Sequence, residues 1–357
     1  MDIISHIKNN FKKYQITELQ LDPNGVCNAK CWFCPVKYQG NPPEGKNSMS
    51  PDLLEKIISN IIEERDKENG LVYKQFKGFW TANYNEILLY KHLEEMLKIC
   101  KKYGLFISIL SNGLNLTPER VDLIKKYEEQ VCGFILNIPG FEPEIWSKRS
   151  GFNINLFSKL INNLNYAYEK FEQKVIEGNL GIQINGVNED SFMGNGGSLE
   201  KGKEFPQDLD LDLINGELEK QYQIATKMFP KILKDKINKN SGIIDRVGHL
   251  NHVISNKEHL NKQFNNKKVI GCANRPNLNV NLEKDGPAPN GGREYSTLHV
   301  NAVGDVFLCC NDYNFEYKIG NLKNQSLADF WGKPEHFELV KKAYENICKN
   351  CTAAIHE

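Results

Sequence analysis

The chain has 357 residues, of which 45 are Lys or Arg and 45 are Asp or Glu, so its formal net charge is zero. This balance provides no long-range field for attracting nucleic acid or an anionic membrane surface. No window approaches the roughly 18 consecutive apolar residues of a membrane span, and no secretory signal peptide is recognisable. We therefore expect a cytoplasmic protein that binds neither nucleic acid nor membrane.

Helix and strand patterns alternate through the first two thirds of the chain. An alternating strand at 17–21 leads into a cysteine-rich loop, and Ser50 is the predicted N-cap of a helix that has Pro51 at its first position. Further strands are predicted, in chain order, at 72–80, 105–110, 133–138, 180–187 and 242–247. Strands separated by helices favour parallel pairing with right-handed crossovers, so we predict an α/β fold with a partial (β/α)6 TIM-like barrel.

Two stretches interrupt this alternation. Residues 188–215 include a glycine-rich run and are predicted to form a long loop, which is either a lid over an active site or a disordered segment. In the last quarter of the chain short β patterns and Gly/Pro turns replace the helices. We therefore predict a barrel domain at 1–255 and a small, cysteine-rich α+β domain at 256–357, whose limited core suits stabilisation by a metal group.

The ten cysteines form two groups, and a chain in the reducing cytosol does not need a disulfide framework. Cys27, Cys31 and Cys34 follow the first predicted strand, at the end where parallel barrels place their active sites. Three thiolates on one loop can hold three irons of a [4Fe–4S] cluster and leave the fourth iron open to a small molecule. The alternative is a structural zinc site, but such a site needs four ligands, and the nearest histidines are His6 and His92.

This CxxxCxxC loop resembles that of the radical S-adenosylmethionine (SAM) enzymes, including the aromatic residue before the last cysteine, Phe33. The resemblance implies that a [4Fe–4S] cluster with SAM at its open iron receives an electron from a donor such as flavodoxin or ferredoxin. It also implies that SAM is cleaved to a 5′-deoxyadenosyl radical, which removes a hydrogen atom from the substrate. By the same resemblance Glu86 would bind the SAM ammonium group, and the residues implied to contact SAM are Phe33, Asn85, Glu86, Ser111, Asn137 and Arg149.

The C-terminal segment, with Gly304 before a cysteine pair and a Cys348-x2-Cys351 motif, resembles the SPASM/twitch extension of some radical SAM enzymes. The resemblance implies one auxiliary [4Fe–4S] cluster, near the mouth of the barrel, on Cys272, Cys309, Cys348 and Cys351. Spacing alone would suit tetrahedral zinc equally well. Cys310 is then left over, and Cys100 and Cys132 are predicted to be core residues.

The substrate class is the least constrained part of this interpretation. We expect oxidation of a small polar molecule, such as an alcohol carbon of a sugar or aminocyclitol, with Asp312, Arg246 or His299 as substrate contact or proton acceptor. Only 26 residues precede Cys27, which is short for a separate peptide-binding domain. The alternatives are radical modification of a peptide or protein and, in a different class, a zinc-binding protein without catalytic activity.

Overall fold

The structure is a computed structural model that describes residues 2–31, 34, 36, 47–81, 85–185, 217–232, 236–240, 268–273, 291–310, 312, 315–351 and 354–357. The predicted lid at 188–215, the predicted strand at 242–247, Phe33 and Arg246 lie outside the described residues. Within the described residues, no helix is long and apolar enough to cross a membrane.

A twisted sheet of nine strands organises the chain, in the order β10-β9-β8-β1-β2-β3-β4-β5-β6. The first six strands are parallel to their neighbours, which confirms the predicted α/β barrel-like fold. The described strands leave this sheet open, with β10 and β6 at its two edges. The strands are β1 (Glu18–Leu21), β2 (Gly78–Thr81), β3 (Phe106–Ser111), β4 (Val131–Asn137), β5 (Leu180–Asn185), β6 (Ile237–Asn240), β7 (Val269–Cys272), β8 (Thr297–Val300), β9 (Asp305–Phe307), β10 (Lys318–Asn321) and β11 (Ala354–His356).

The C-terminal part of the chain contributes to the same sheet. Strand β8 pairs in parallel with β1, with Glu18 opposite Thr297 and Gln20 opposite His299. Strands β9 and β10 continue outward in antiparallel pairing. Strands β7 and β11 form a separate two-stranded antiparallel sheet. The side of β1 away from β2 is therefore covered by residues far downstream in the sequence.

Helices connect the parallel strands and cover one face of the sheet. The helices are α1 (Ile3–Lys13), α2 (Pro51–Asp66), α3 (Leu93–Tyr103), α4 (Pro118–Lys126), α5 (Pro143–Ser150), α6 (Phe157–Lys170), α7 (Glu172–Ile176), α8 (Glu217–Met228), α9 (Arg293–Ser296), α10 (Leu327–Phe330) and α11 (Pro334–Glu345). Ser50 caps α2 as predicted, because its side chain accepts a hydrogen bond from the Leu53 N–H. Helices α3 and α5 end at Gly104 and Gly151, whose φ angles of 63° and 74° are left-handed.

The two faces of β1 differ in chemistry. Leu19 and Leu21 belong to the main hydrophobic core together with Ile57 and Ile61 of α2. Because successive side chains of a strand point to opposite faces, Glu18 and its neighbours in register lie on the face away from the helices. The polar residues on this inner face are Glu18, Gln20, Thr297 and His299. It is the concave side of the barrel-like sheet.

A second, smaller core joins the two ends of the chain. Ile7 of α1 packs with Val269 of β7 and with Tyr295, Val340 and Tyr344. Helix α1 therefore lies against elements of the predicted C-terminal domain, although its residues belong to the predicted barrel domain.

Candidate functional site

The N-terminal cysteine loop is tied to three neighbouring segments. The Asn24 side chain donates to the Glu86 carbonyl, and the Glu86 N–H donates to the Val26 carbonyl. The Asn28 side chain donates a hydrogen bond to Oδ1 of Asn115 at 2.8 Å and accepts one from Nδ2 of Asn112 at 2.9 Å. Further along the loop, the Lys30 N–H donates to the Ser150 carbonyl at 2.8 Å. The loop is thus held against the carboxyl ends of β2 and β3 and the end of α5.

These contacts bring Cys27, Cys31 and Cys34 together. The Cys34 N–H donates to the Cys31 carbonyl at 2.9 Å. Burial raises the pKa of Cys27 to about 12, with further contributions from the charges of Glu86 and Cys34. Burial raises the pKa of Cys31 as well, and the charges of Cys34 and Cys27 add to it. Three crowded thiols that resist ionisation suit a cationic iron cluster, because its positive charge would compensate the thiolates that ligation requires.

Glu86 lies beside this loop, at the carboxyl end of β2. Its Oε1 accepts from the Leu88 N–H at 3.1 Å and from the Ser111 hydroxyl at 2.8 Å, while Oε2 accepts from the Asn112 N–H at 2.8 Å. Three donors around two oxygens favour a carboxylate, although burial raises the pKa of Glu86. Since Oε2 receives one donor here, it retains the capacity for another, such as an ammonium group. Its role in SAM binding stays a prediction.

The other residues implied to contact SAM lie at the same end of the sheet. Both polar atoms of the Asn85 amide are buried and have no hydrogen-bond partner within the described part of the chain. Unpaired buried amides are costly, and a bound ligand would remove that cost. Asn137 is the last residue of β4, and Arg149 on α5 donates from Nη1 to the Pro139 carbonyl at 2.8 Å. Asn85 therefore fits a bound cosubstrate best, whereas the Arg149 guanidinium holds the turn after β4.

The four C-terminal cysteines line one cavity. Cys272 comes from β7, Cys309 from the segment after β9, and Cys348 and Cys351 from the turn that follows α11. The rest of the lining includes apolar side chains such as Leu308 and Ile347. Burial raises the pKa of Cys348, and the charge of Cys351 contributes next. Four thiols that line one cavity are a donor set that fits a [4Fe–4S] cluster.

Two charged residues missed by the sequence interpretation also line this cavity. Glu294 accepts from the Cys272 N–H at 3.0 Å and from the Tyr344 hydroxyl at 2.7 Å, and burial raises its pKa to about 7. Arg293 has a side chain that is 15% exposed, and its Nη1 is 3.9 Å from Oε1 of Glu18. The sequence signal was an adjacent Arg-Glu pair just before a strand, which by itself does not indicate a buried site.

The two cysteine sites lie at opposite ends of β1. The first follows the carboxyl end of β1. The second lies beside the start of β8, because α9 carries Arg293 and Glu294 and leads directly into Thr297, which is opposite Glu18. The parallel pairing of β8 with β1 produces this arrangement, and the expectation of a second site near the mouth of the barrel stays a prediction.

His299 lies between the two sites, on the polar inner face. It is fully buried, and neither ring nitrogen has a hydrogen-bond partner among the described residues. Burial, followed by the charge of Arg293, lowers the pKa of His299. The ring is therefore neutral at pH 7 and a weak proton acceptor, and its role as a substrate contact stays a prediction.

Asp312 has a different environment from that of a substrate-binding carboxylate. Its two oxygens accept from the Glu316 N–H at 2.9 Å and the Tyr317 N–H at 2.8 Å, and its own N–H donates to the Cys309 carbonyl. The side chain lines the cysteine cavity and is 2% exposed. Asp312 thus shapes the segment that carries Cys309, and its role as a proton acceptor stays a prediction.

Cys100 is buried in the main core, as expected from its helix face. Cys132 is only partly buried, and its thiol donates to the Ile107 carbonyl. No group of three or more His, Cys, Asp or Glu side chains in the described ranges has the geometry of a single-ion site.

Comparison with known proteins agrees with this arrangement. The family model of the radical SAM superfamily matches residues 22–193, and the SPASM model, described as an iron–sulfur cluster-binding domain, matches residues 292–352. The antilisterial bacteriocin subtilosin biosynthesis protein AlbA of Bacillus subtilis (strain 168) is 28% identical over 108 residues. That match covers 29% of this chain and only a fifth of the length of AlbA.

The solved structure of anSMEcpe shares the fold at low sequence identity. Histidine-tagged anSMEcpe with bound AdoMet has a TM-score of 0.53 at 14% identity, covering 94% of this chain and 88% of that chain. BtrN in complex with AdoMet and 2-DOIA has a TM-score of 0.49 at 15% identity, covering 95% and 92%. With two cysteine sites where the two family models match, the chain belongs to the radical SAM superfamily and carries a C-terminal iron–sulfur domain of the SPASM type.

Proposed function

We propose that this protein is a radical SAM enzyme that oxidises a small polar molecule between two iron–sulfur sites. The observation that carries the proposal is the polar inner face that connects the two cysteine sites, with Gln20 and His299 in register at its centre. When bound, the cluster on the N-terminal triad and SAM supply a 5′-deoxyadenosyl radical that removes a hydrogen atom from the substrate. Cys27, Cys31 and Cys34 are the proposed ligands of that cluster.

The inner face supports a hydroxyl-bearing substrate. Glu18 and Thr297 are 3% and 1% exposed, and His299 is fully buried, so these polar groups are shielded from bulk water. A neutral imidazole can donate to one hydroxyl oxygen and accept from another hydroxyl. The substrate would thus satisfy the nitrogens of His299 while its reacting carbon is kept away from competing hydrogen donors. Oxidation of an alcohol carbon then requires the substrate radical to lose one electron and one proton, which leaves a carbonyl group.

Peptide modification is the second candidate. It is favoured by the similarity to AlbA, whose name assigns it to the biosynthesis of a bacteriocin. The two candidates differ in the size of the substrate, so they can be separated without knowing its identity. Small-molecule and peptide fractions from cells grown in deuterated medium would be incubated separately with the enzyme and SAM. Deuterium in 5′-deoxyadenosine from the small-molecule fraction alone supports the first candidate, and deuterium from the peptide fraction alone refutes it.

The cluster assignments are tested by iron content and SAM cleavage after anaerobic reconstitution. We expect about eight irons in the unmodified protein, because each four-iron cluster contributes four. Replacing Cys27, Cys31 and Cys34 together by Ala should leave about four irons and abolish 5′-deoxyadenosine formation. Replacing Cys348 and Cys351 by Ala should also leave about four irons but retain SAM cleavage. Cys132→Ala is the matched control and should change neither quantity.

Three results would contradict these assignments. SAM cleavage by the triple variant would reject the N-terminal site. About four irons in the unmodified protein would reject the C-terminal cluster. Zinc in place of iron at both sites, without 5′-deoxyadenosine, would favour the non-catalytic zinc-binding alternative.

A further inference from the structure

Among the described residues, Arg293 is a mostly buried cation that lines the C-terminal cysteine cavity. It lines the cavity next to Cys272 and Cys309, and its side chain is mostly buried. It also borders the inner face, where Glu18 is 3.9 Å away. The Arg293 guanidinium therefore lies between the proposed substrate region and the proposed auxiliary cluster.

The contact with Glu18 does not neutralise this guanidinium completely. A direct hydrogen bond between the two groups would bring N and O to about 2.7–2.9 Å, which is well below 3.9 Å. Nε and Nη1 are buried and, within the described residues, have no hydrogen-bond partner. An arginine side chain stays protonated in proteins, so this buried positive charge is fixed, and it lies beside the proposed ligands Cys272 and Cys309 in the cavity lining.

We infer that Arg293 is a positioning residue for electron transfer, whose charge raises the reduction potential of the auxiliary cluster. The inference rests on the proposed function, in which a [4Fe–4S] cluster occupies the four-cysteine cavity. One-electron reduction adds one negative charge to such a cluster, and a nearby fixed cation stabilises that charge. In the proposed oxidation the electron comes from the substrate radical, whose proton leaves separately. Arg293 thus makes the cluster a better acceptor at the end of the inner face where the electron has to go.

The test measures the potential of the auxiliary cluster alone. The background is the full chain with Cys27, Cys31 and Cys34 replaced by Ala, so that the remaining EPR signal belongs to the C-terminal cluster. In this background Arg293→Gln should decrease the ratio of reduced to oxidised cluster at a fixed applied potential by at least tenfold. For a one-electron couple this ratio corresponds to a shift of about 59 mV to lower potential. Arg293→Lys retains the charge and should change the ratio less than Arg293→Gln does.

A second variant tests the same charge by removing the carboxylate that lies beside it. Glu18→Gln removes the nearest carboxylate of Arg293 without altering the cysteine cavity, so it should shift the potential in the opposite, positive direction. This variant remains informative if Arg293→Gln cannot retain a cluster. Arg120→Gln, on α4, removes an equal charge outside the cavity and should leave the potential unchanged.

The outcomes separate this inference from the proposed function. Unchanged potentials in both Arg293→Gln and Glu18→Gln would overturn the inference, even if the unmodified protein forms 5′-deoxyadenosine. Equal shifts in Arg120→Gln and Arg293→Gln would also overturn it, because the effect would then reflect net charge. Shifts of the expected signs would support it even if SAM cleavage were absent, since the measurement requires neither SAM nor substrate. Zinc instead of iron in the cavity would refute both proposals.

Discussion

The close contact between Gly151 and the cysteine loop leads to a specific expectation for Gly151→Ala. Gly151 has a left-handed φ of 74°, and a Cβ atom added there would lie 2.8 Å from the Lys30 Cβ and 2.9 Å from the Lys30 carbonyl oxygen. Gly104 is a matched control: it also ends a helix in the left-handed conformation, with φ of 63°, but an added Cβ meets nothing within 4 Å. The two substitutions therefore introduce the same backbone strain, but only the alanine at 151 would also press against Lys30.

The expected free energies follow from this difference. Left-handed strain costs an alanine about 1–2 kcal/mol, so Gly104→Ala should lower the free energy of unfolding by about that amount. Gly151→Ala carries the same strain, and overpacking against Lys30 adds about 1–3 kcal/mol. If Lys30 moves instead, its 2.8 Å hydrogen bond to Ser150 is lost and the neighbouring Cys31 is displaced. The second response would reduce iron binding rather than stability alone.

Both quantities can be measured on anaerobically reconstituted protein. Guanidinium unfolding gives the stability difference, and the iron content together with 5′-deoxyadenosine formation reports on the N-terminal cluster. Gly151→Ala should lose more stability or iron than Gly104→Ala, whose iron content should equal that of the unmodified protein. Identical behaviour of the two variants would refute the reasoning, because it would mean that the contact with Lys30 has no consequence for the loop.

Three further predictions concern His336, Ser50 and Asp312. Burial lowers the pKa of His336 to about 3, so below about pH 6.5 the unfolded chain binds this proton more readily than the folded chain does. The free energy of unfolding should therefore fall by about 1.4 kcal/mol between pH 7.5 and pH 5.5. His336→Phe should remove this part of the pH dependence when unfolding curves of the two proteins are compared. Ser50→Ala removes the cap of α2 and should cost about 1 kcal/mol by chemical denaturation, whereas no loss would show that the cap is dispensable. Asp312→Asn leaves one backbone N–H of its turn without an acceptor and should cost about 1–3 kcal/mol, with loss of iron from the C-terminal site but retained SAM cleavage; full iron content would contradict its role in holding Cys309.

Local patterns were sufficient to predict most of the parallel strands. The apolar alternation of 17–21 and the Ser-Pro start of α2 depend on neighbouring residues, and both agree with the structure. Strand β2 is shorter than predicted, because Val72 forms only an isolated bridge with Ile16 and the paired strand begins at Gly78. Strand β6 is described at 237–240, before the predicted segment at 242–247.

The placement of the second site could not be predicted in this way. It depends on the pairing of β8 with β1, and this contact is invisible in any local window. The same holds for Arg293, whose importance arises from its approach to Glu18 rather than from a motif. The residues predicted to contact SAM were assigned by resemblance. The structure adds that both carboxylate oxygens of Glu86 already accept hydrogen bonds from neighbouring residues of the chain.

The pairing of β1 with β8 also sets the order in which the protein can mature during synthesis. Thr17, which donates a hydrogen bond to the Ser296 carbonyl next to this pair, is 279 residues from Ser296 in sequence. At about 5–20 residues per second, a ribosome needs roughly 15 to 60 s to produce the second after the first. During that interval one edge of β1 has no native partner, and exposed edges invite aggregation. A nascent chain of this protein therefore completes the sheet at β1 only after β8 has been synthesised, and insertion of the first cluster before that time would occur on an unfinished sheet.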